Sequence, residues 1–283
     1  MKILLLGSKG QLGREFQYQL SNNGINFSGF DIDDCDISNY LQIKSIVDRI
    51  NPTHIINCTA YNLVDKAESE PNNAYAANSI AVNNLAVLSF EKNIKLIHFS
   101  SDYVFDGKKS HLYTETDDTN PLNIYGWSKL YGEQIVSETL DNYLIFRLSW
   151  VYGAGRQNFI YKMNEWAKSK DSLNIVTDEI SVPSSTQMIA EYTLKAIEQD
   201  LAGLYHLVNS SFCSRFEWAE EIKKLYQLKV NLNTALLSDF NFPAVRPKFS
   251  AMSNLSITKE LNSEIPDWKY SLKMFSMNSV FQK

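Results

Sequence analysis

The 283-residue sequence predicts an α/β fold, a doubly wound parallel sheet with a smaller discontinuous C-terminal lobe, on three observations. Short apolar runs alternate with longer amphipathic stretches, the pattern of a parallel sheet wrapped by helices. A glycine-rich turn follows the first apolar run at once. The alternation weakens after about residue 150, which separates residues 1–150 from a mixed region, 151–283, that completes the sheet and forms the lobe.

The strand candidates are Lys2–Leu6, Asn26–Asp31, His54–Asn57, Ile94–Ser100, Tyr143–Leu148, Leu173–Val176 and Gly203–Val208. Most are apolar almost throughout, as strands covered on both faces are. Between them lie helical patterns. After Ser38, a candidate N-cap, Ile43, Ile46, Val47 and Ile50 fall at i, i+3, i+4, i+7, and Pro52 follows. From Asn72 to Lys92, Ala74, Ala77, Ala81, Leu85 and Leu88 mark one face of small and apolar residues suited to close packing on a sheet. Asn158–Lys170 and Ser214–Gln227 also read as helices. From Leu232 onward the chain is aromatic, punctuated by Pro243, Pro247 and Pro266, and shows no clear period.

Composition narrows the function classes. The apolar fraction is 44% and the charged fraction 21%, which fits a globular chain rather than a disordered one. The net charge of −5 comes without a block of like charge, which argues against a nucleic-acid or anionic-membrane surface. No apolar run approaches the roughly 20 residues that span a bilayer. Cys35, Cys58 and Cys213 are odd in number and widely spaced, which argues against a disulfide framework or a zinc site. The segment Met1–Leu6 is too short for a signal peptide and runs directly into the glycine turn, so the expected location is the cytoplasm.

That turn, Gly7-Ser8-Lys9-Gly10-Gln11-Leu12-Gly13, stands between the first strand and the first helix. Glycines there allow a tight turn and a close backbone approach to a pyrophosphate at the helix N-terminus, which is the Rossmann-type way of holding a dinucleotide. Asp31 closes the second strand, about 20 residues on, where an acidic side chain can bind ribose hydroxyls. Asp33, Asp34 and Asp36 crowd nearby, and the strand end favours Asp31. Residues 1–150 are therefore the expected dinucleotide-binding domain.

Tyr125 and Lys129 are spaced i, i+4 and share one face of a helix that Tyr125 begins. A free tyrosine has a pKa of about 10, and a nearby ammonium, together with an oxidised nicotinamide, stabilises the phenolate and lowers it. Such a pair can protonate the alkoxide that forms when a ketone receives hydride. Ser101 lies at the C-terminal edge of the fourth strand, where open α/β sheets bind ligands, and could donate to the same carbonyl.

Several separate segments carry a family resemblance. The chain resembles the extended short-chain dehydrogenase/reductases and, within them, the dTDP-4-dehydrorhamnose reductase family. The residues concerned are Gly7–Gly13, Asn57–Tyr61 with Val64-Asp65-Lys66-Ala67-Glu68, Ser101-Asp102-Tyr103-Val104-Phe105-Asp106-Gly107, Pro121–Gly126 with Lys129, and Arg147–Tyr152. They span about two thirds of the chain, with a weaker echo at Gly203–Leu207. The resemblance implies NADH or NADPH as cofactor, held by Gly7, Gly10, Gln11, Leu12 and Gly13. It further implies contacts from Asp31, from Asp36 and Ile37 beside the adenine, and from Ala60, Tyr61 and Asn62 near the nicotinamide ribose. Tyr125 and Lys129 become the catalytic pair, Ser101 stands where threonine is usual, and Asp102 lies beside it.

For the nucleotide-sugar substrate, the resemblance points to Ser101, Asp102, Tyr103, Trp150 and Arg246. Trp150 reads either as a platform for the sugar or as a core tryptophan. Arg246 reads either as a fork for the substrate pyrophosphate or as a surface arginine. Asp31 favours NADH slightly, because its charge would repel a 2′-phosphate, while Lys9 and Arg14 would soften that repulsion. A homodimer is compatible with the resemblance. Glu15 matches a glutamate that bridges metal in some members, but partner glutamates are lacking and no metal is expected.

The departures fall on the sugar side. Where the family usually has a glycine and a Pro-Thr pair, this chain reads Asp178-Glu179-Ile180-Ser181-Val182-Pro183-Ser184-Ser185, and the last 50 residues match poorly. The expected activity is reduction of the 4-keto group of a nucleotide-linked 6-deoxy sugar, with dTDP-L-rhamnose as the expected product. The rivals are an epimerase or dehydratase of the same superfamily, and a regulatory subunit that keeps only the cofactor fold. Tyr125, Lys129 and the Ser101 hydroxyl together argue against the second.

Overall fold

The computed structural model describes residues 1–277. In its first half β1 (Lys2–Leu6), α1 (Gln11–Asn22), β2 (Asn26–Phe30), α2 (Tyr40–Ile50) and β3 (His54–Asn57) follow one another, then α3 (Val64–Ser69), α4 (Pro71–Tyr75) and α5 (Ala81–Lys92). β4 (Lys95–Ser101), α6 (Ile124–Thr139) and β5 (Tyr143–Leu148) complete that half. The second half holds β6 (Val151–Tyr152), α7 (Phe159–Ser169), β7 (Ser172–Val176), β8 (Ile180–Ser181), β9 (Ser184–Ser185), α8 (Thr186–Glu198) and β10 (Gly203–His206). After these come β11 (Cys213–Ser214), α9 (Arg215–Leu225), β12 (Asn231–Ala235), α10 (Leu255–Leu261) and α11 (Trp268–Met277).

Six strands make the main sheet in the order β10-β5-β4-β3-β1-β2, and every neighbouring pair is parallel. The period of two along β1 explains how both faces are covered. Ile3 and Leu5 join a core with Leu12, Phe16 and Leu20 of α1 and with α8 and α10. Leu4 and Leu6 face the other way, into a core with α2, α5 and α6. The sheet is thus doubly wound. Its direction of winding reverses at β1, so the crevice for a ligand opens at the C-terminal ends of β1 and β3.

The lobe has its own core, where Tyr152, Met163, Trp218, Ile222, Trp268 and Leu272 are buried together. Leu173–Val176 does form a strand, but it leaves the main sheet and pairs in parallel with β12. Helix α2 is capped by Asn39, whose side chain accepts from the amides of Leu41 and Gln42, and not by Ser38. The Ser38 hydroxyl is instead donated to Asp36 at 2.7 Å. The run from Asn72 to Lys92 is broken by a π-helical turn, Ala76–Ile80, which turns Asn78 and Ser79 inward. Helices α10 and α11 escaped the sequence pattern because seven and ten residues hold few full periods.

Candidate active site

The glycine turn crosses the end of β1 beside the start of the segment after β3. Gly7 has φ +74°, and a Cβ there would lie 2.9 Å from the Cys58 carbonyl carbon and the Thr59 amide. At Gly13 a Cβ would come within 2.1 Å of the Gly7 oxygen, so the first turn of α1 can close on the loop only without a side chain. Gly10 is the exposed N-cap of α1 and supplies no capping side chain. The amides of Gln11, Leu12 and Gly13 therefore lack partners within the helix, as suits an anion. The Leu12 side chain lies in the core and the Gln11 amide group donates to the Val151 carbonyl at 3.3 Å, so at the turn both offer backbone amides.

Asp31 lies just past β2, and its carboxylate accepts the Lys9 amide at 2.7 Å and the Ile32 amide at 2.9 Å. The fold thus brings the acidic residue against the glycine turn, as expected. Lys9 itself pairs with Asp33 at 2.8 Å. Ile37 is buried, and its carbonyl and that of Ser38 accept from Asn84 of α5. Ala60 and Asn62 are exposed and Tyr61 is half-buried in the segment after β3. That segment is held by a residue the sequence reading missed. Asn78 bonds both the amide and the carbonyl of Tyr61 at 2.9 Å, and its amide group also donates to the Ser128 hydroxyl of α6 at 2.9 Å. Only the π-helical turn, invisible to periodicity, announces it.

Tyr125 and Lys129 lie one turn apart on α6, whose N-terminus is capped by Asn123. Lys129 is buried and donates to the Phe99 carbonyl of β4 at 2.7 Å. Burial pulls its ammonium down to about 8. Tyr125 packs edge-on against Tyr103, with ring centroids 5.6 Å apart. Burial pushes its phenol up to about 12, and the neighbouring Ser101 hydroxyl acts in the opposite direction. In this geometry the Lys129 ammonium is taken by a backbone carbonyl and the phenol is desolvated. Asp102, placed beside Ser101 as expected, is 2% exposed and turns its carboxylate into the protein, towards four serine hydroxyls.

Trp150 follows β5 with φ +39°, a conformation rare outside glycine and a mark of a position held by its surroundings. Its indole is half-buried beside Trp218, centroids 5.5 Å apart and nearly parallel. The Arg215 guanidinium sits 3.6 Å over the Trp150 ring and 5.5 Å from the Trp218 ring. On opposite faces, Arg215 would stand well over 5.5 Å from Trp218, so the two share one side of Trp150. Arg215 is held in turn by both oxygens of Glu179 at 3.1 Å. Trp150 thus packs on the edge of the lobe core and keeps part of its surface exposed. Glu179 and Arg215 lie in segments with no motif, and nothing in the sequence marked them.

Arg246 pairs with Asp65 at 2.7 Å and stacks 3.8 Å over Phe242. Its charge is felt by Tyr103, so the C-terminal segment does reach the same edge of the sheet. Among the described residues, no group of three or more His, Cys, Asp or Glu side chains could hold a metal ion. Glu15 is buried and accepts from Gln19 at 2.8 Å. No described helix is long and apolar enough to cross a membrane.

Comparison with known proteins accords with this geometry. The family model described as the RmlD substrate binding domain matches residues 1–280. A dTDP-4-dehydrorhamnose reductase from Escherichia coli K12 is 37% identical over 296 residues, covering 99% of this chain and 98% of its own. Among solved structures, a dTDP-4-dehydrorhamnose reductase from Clostridium acetobutylicum is similar over 100% of both chains, with a TM-score of 0.95 and 35% identity. Another from Bacillus anthracis, solved in complex with NADP, covers 98% of both chains with a TM-score of 0.94 and 35% identity.

Proposed function

The chain belongs to the dTDP-4-dehydrorhamnose reductase family, and from that premise we propose that it reduces the 4-keto group of a nucleotide-linked 6-deoxy sugar, converting dTDP-4-dehydrorhamnose to dTDP-L-rhamnose. One observation carries the reading: Tyr125 and Lys129, a turn apart on α6, meet the end of β4, Lys129 at the Phe99 carbonyl and Tyr125 beside Ser101. The glycine turn lies two strands away at the same edge.

Residues 1–150 hold the dinucleotide and the lobe supplies the sugar side. The amides of Gln11, Leu12 and Gly13 meet the pyrophosphate, Asp31 meets the adenosine ribose, Asp36 and Ile37 flank the adenine, and Ala60–Asn62 line the nicotinamide ribose. A reduced nicotinamide bound there supplies the hydride. Tyr125 supplies the proton to the C4 oxygen, and burial keeps its phenol protonated at neutral pH for that purpose. The Ser101 hydroxyl donates to the same oxygen as negative charge builds on it. Once the phenol has lost its proton, the Lys129 ammonium stabilises the phenolate. Trp150 covers the sugar with the part of its indole left exposed, Tyr103 closes the side next to Tyr125, and Arg246 leaves Asp65 for the substrate pyrophosphate. NADH is favoured slightly over NADPH because of Asp31.

The test is a panel of nucleotide-linked 4-keto sugars assayed for oxidation of NADH and NADPH. Oxidation matched by formation of the 4-hydroxy sugar is expected with the dTDP-linked 6-deoxy substrate. Tight NADH binding without turnover on any member would restore the regulatory-subunit reading. Conversion of the sugar without net oxidation of the cofactor would point to an epimerase or dehydratase.

A further inference from the structure

Asp102 is the centre of a cluster that the reaction as described does not use. Its Oδ2 accepts the hydroxyls of Ser149 at 3.1 Å, Ser181 at 2.9 Å and Ser250 at 2.5 Å, while Oδ1 accepts only Ser101 at 3.2 Å. The three Oδ2 donors come from the turn after β5, from β8, and from the segment before α10, which lies 148 residues away. All five side chains are buried. A buried carboxylate is costly unless its oxygens are met, and an apolar cluster would join the same segments without that cost. Its retention beside Ser101 therefore calls for a role in what Ser101 does.

A serine lacks the second Cβ substituent that restricts the side-chain rotation of a threonine. Ser101 also has one proton to give. At rest its oxygen accepts the Tyr103 amide at 3.2 Å and its proton points to Asp102. To donate to a substrate carbonyl, that proton must leave Oδ1 without stranding a buried charge. We propose that the three-serine clasp on Oδ2 makes Asp102 a positioning residue for Ser101: it fixes the Ser101 oxygen beside Tyr125 and keeps the carboxylate satisfied when the Ser101 proton turns to the substrate. This rests on the role proposed for Ser101 above. The lobe, through Ser181 and Ser250, thereby sets the geometry of the reacting edge.

A double-mutant cycle between Ser250→Ala and Ser101→Thr tests the coupling, with kcat and KM measured on dTDP-4-dehydrorhamnose, the dissociation constant of NADH, and melting temperature. Ser250→Ala alone should lower kcat by roughly ten- to a hundredfold, with KM and NADH binding within about twofold. In the Ser101→Thr background, where the methyl group restrains the hydroxyl, the same change should cost under about threefold. An equal loss in both backgrounds, or a loss confined to KM and melting temperature, overturns the proposal. Ser181→Ala takes the place of Ser250→Ala if the latter does not fold. If Ser101→Thr is inactive, Ser181→Ala with Ser250→Ala decides, since that pair should then lower kcat further than either alone, with KM unmoved; an unchanged kcat overturns the proposal. Wild-type protein that oxidises no NADH or NADPH sinks the reductase reading and the clasp together, whereas active wild type with additive variants sinks the clasp alone.

Discussion

The two sides of the reacting edge are built by different means. On the dinucleotide side the shape is backbone: Gly7 and Gly13 close the turn, and Asp31 reaches the Lys9 amide only 22 residues away. On the sugar side the shape is side chains that meet across the chain. Asp65 and Arg246 are 181 residues apart, and Glu179 and Arg215 are 36 apart. A backbone site is specified by a few neighbouring glycines and tolerates change around it. A site made of long-range pairs depends on each pair, so it can be retuned one substitution at a time, and this is where the chain departs from its family. If the sides are as separate as this suggests, variants on one should leave affinity for the other's ligand alone.

The largest effect is expected at the seam. Tyr125→Phe removes only the phenolic proton, and turnover should fall by roughly 10²–10⁴-fold. The dissociation constants of NADH and of the sugar nucleotide should both stay within about twofold, as direct titration can show. Near-normal kcat would remove Tyr125 as the acid. A loss of affinity for both ligands would mean that the two sides share more than this one residue.

Lys129 allows a pH test of the same seam. Burial lowers its ammonium from 10.5 to about 8, so between those values the folded chain binds fewer protons than the unfolded one. Its contribution to stability therefore rises across that window, and the full penalty is present below pH 8. Lys129→Met removes the titration. Relative to wild type, the variant should be most stable below pH 8 and lose on the order of 1–3 kcal/mol of that advantage by pH 10.5. Denaturant unfolding at several pH values measures it, and a difference that does not vary with pH would show that Lys129 is not shifted. Turnover should fall as well, with the kcat profile moved to higher pH if the ammonium stabilises the phenolate.

These two sides also explain what could be read in advance. The first five strands of the main sheet, the glycine turn, Asp31 and the Tyr125–Lys129 spacing are local patterns, and periods of 2 and 3.6 expose them. β7 looked like a sheet strand because Leu173, Ile175 and Val176 are buried, but burial says nothing of the partner, which proved to be β12. Asn78 was hidden because a π-helical turn adds a residue to the period and leaves the composition unchanged. Asp102 was marked by its neighbours in the motif, yet three of its four hydroxyl partners come from segments that only the folded chain brings to it.

Trp150→Ala probes the sugar side. The indole is half-buried, so the truncation should cost less than the roughly 3–5 kcal/mol of a fully buried aromatic. KM for the sugar nucleotide should rise by about tenfold and kcat should fall, because part of the binding free energy serves to place the carbonyl. The dissociation constant of NADH should not move. A large drop in melting temperature with normal turnover in the folded fraction would assign Trp150 wholly to the lobe core and move the sugar elsewhere along the edge.

The smallest effect is expected at Asp31, and it examines the backbone side alone. Its carboxylate is oriented by the Lys9 and Ile32 amides, which leaves oxygen lone pairs for ribose hydroxyls and a negative charge where a 2′-phosphate would lie. Lys9 could answer that phosphate, but its ammonium is 2.8 Å from Asp33, which opposes the move. Wild-type protein should therefore use both cofactors, with NADH ahead by less than about tenfold, since half-exposed charges are screened by solvent. Asp31→Asn keeps the size and one of the two amide contacts while removing the charge, so the ratio of kcat/KM for NADPH over NADH should rise by about three- to tenfold. KM for the sugar nucleotide should be unaffected if the two sides are independent. An unchanged cofactor ratio would place the ribose contact on another carboxylate of the cluster, with Asp33 the first to test. A wild-type preference for NADPH of tenfold or more would show that Lys9 does leave Asp33 and governs the choice.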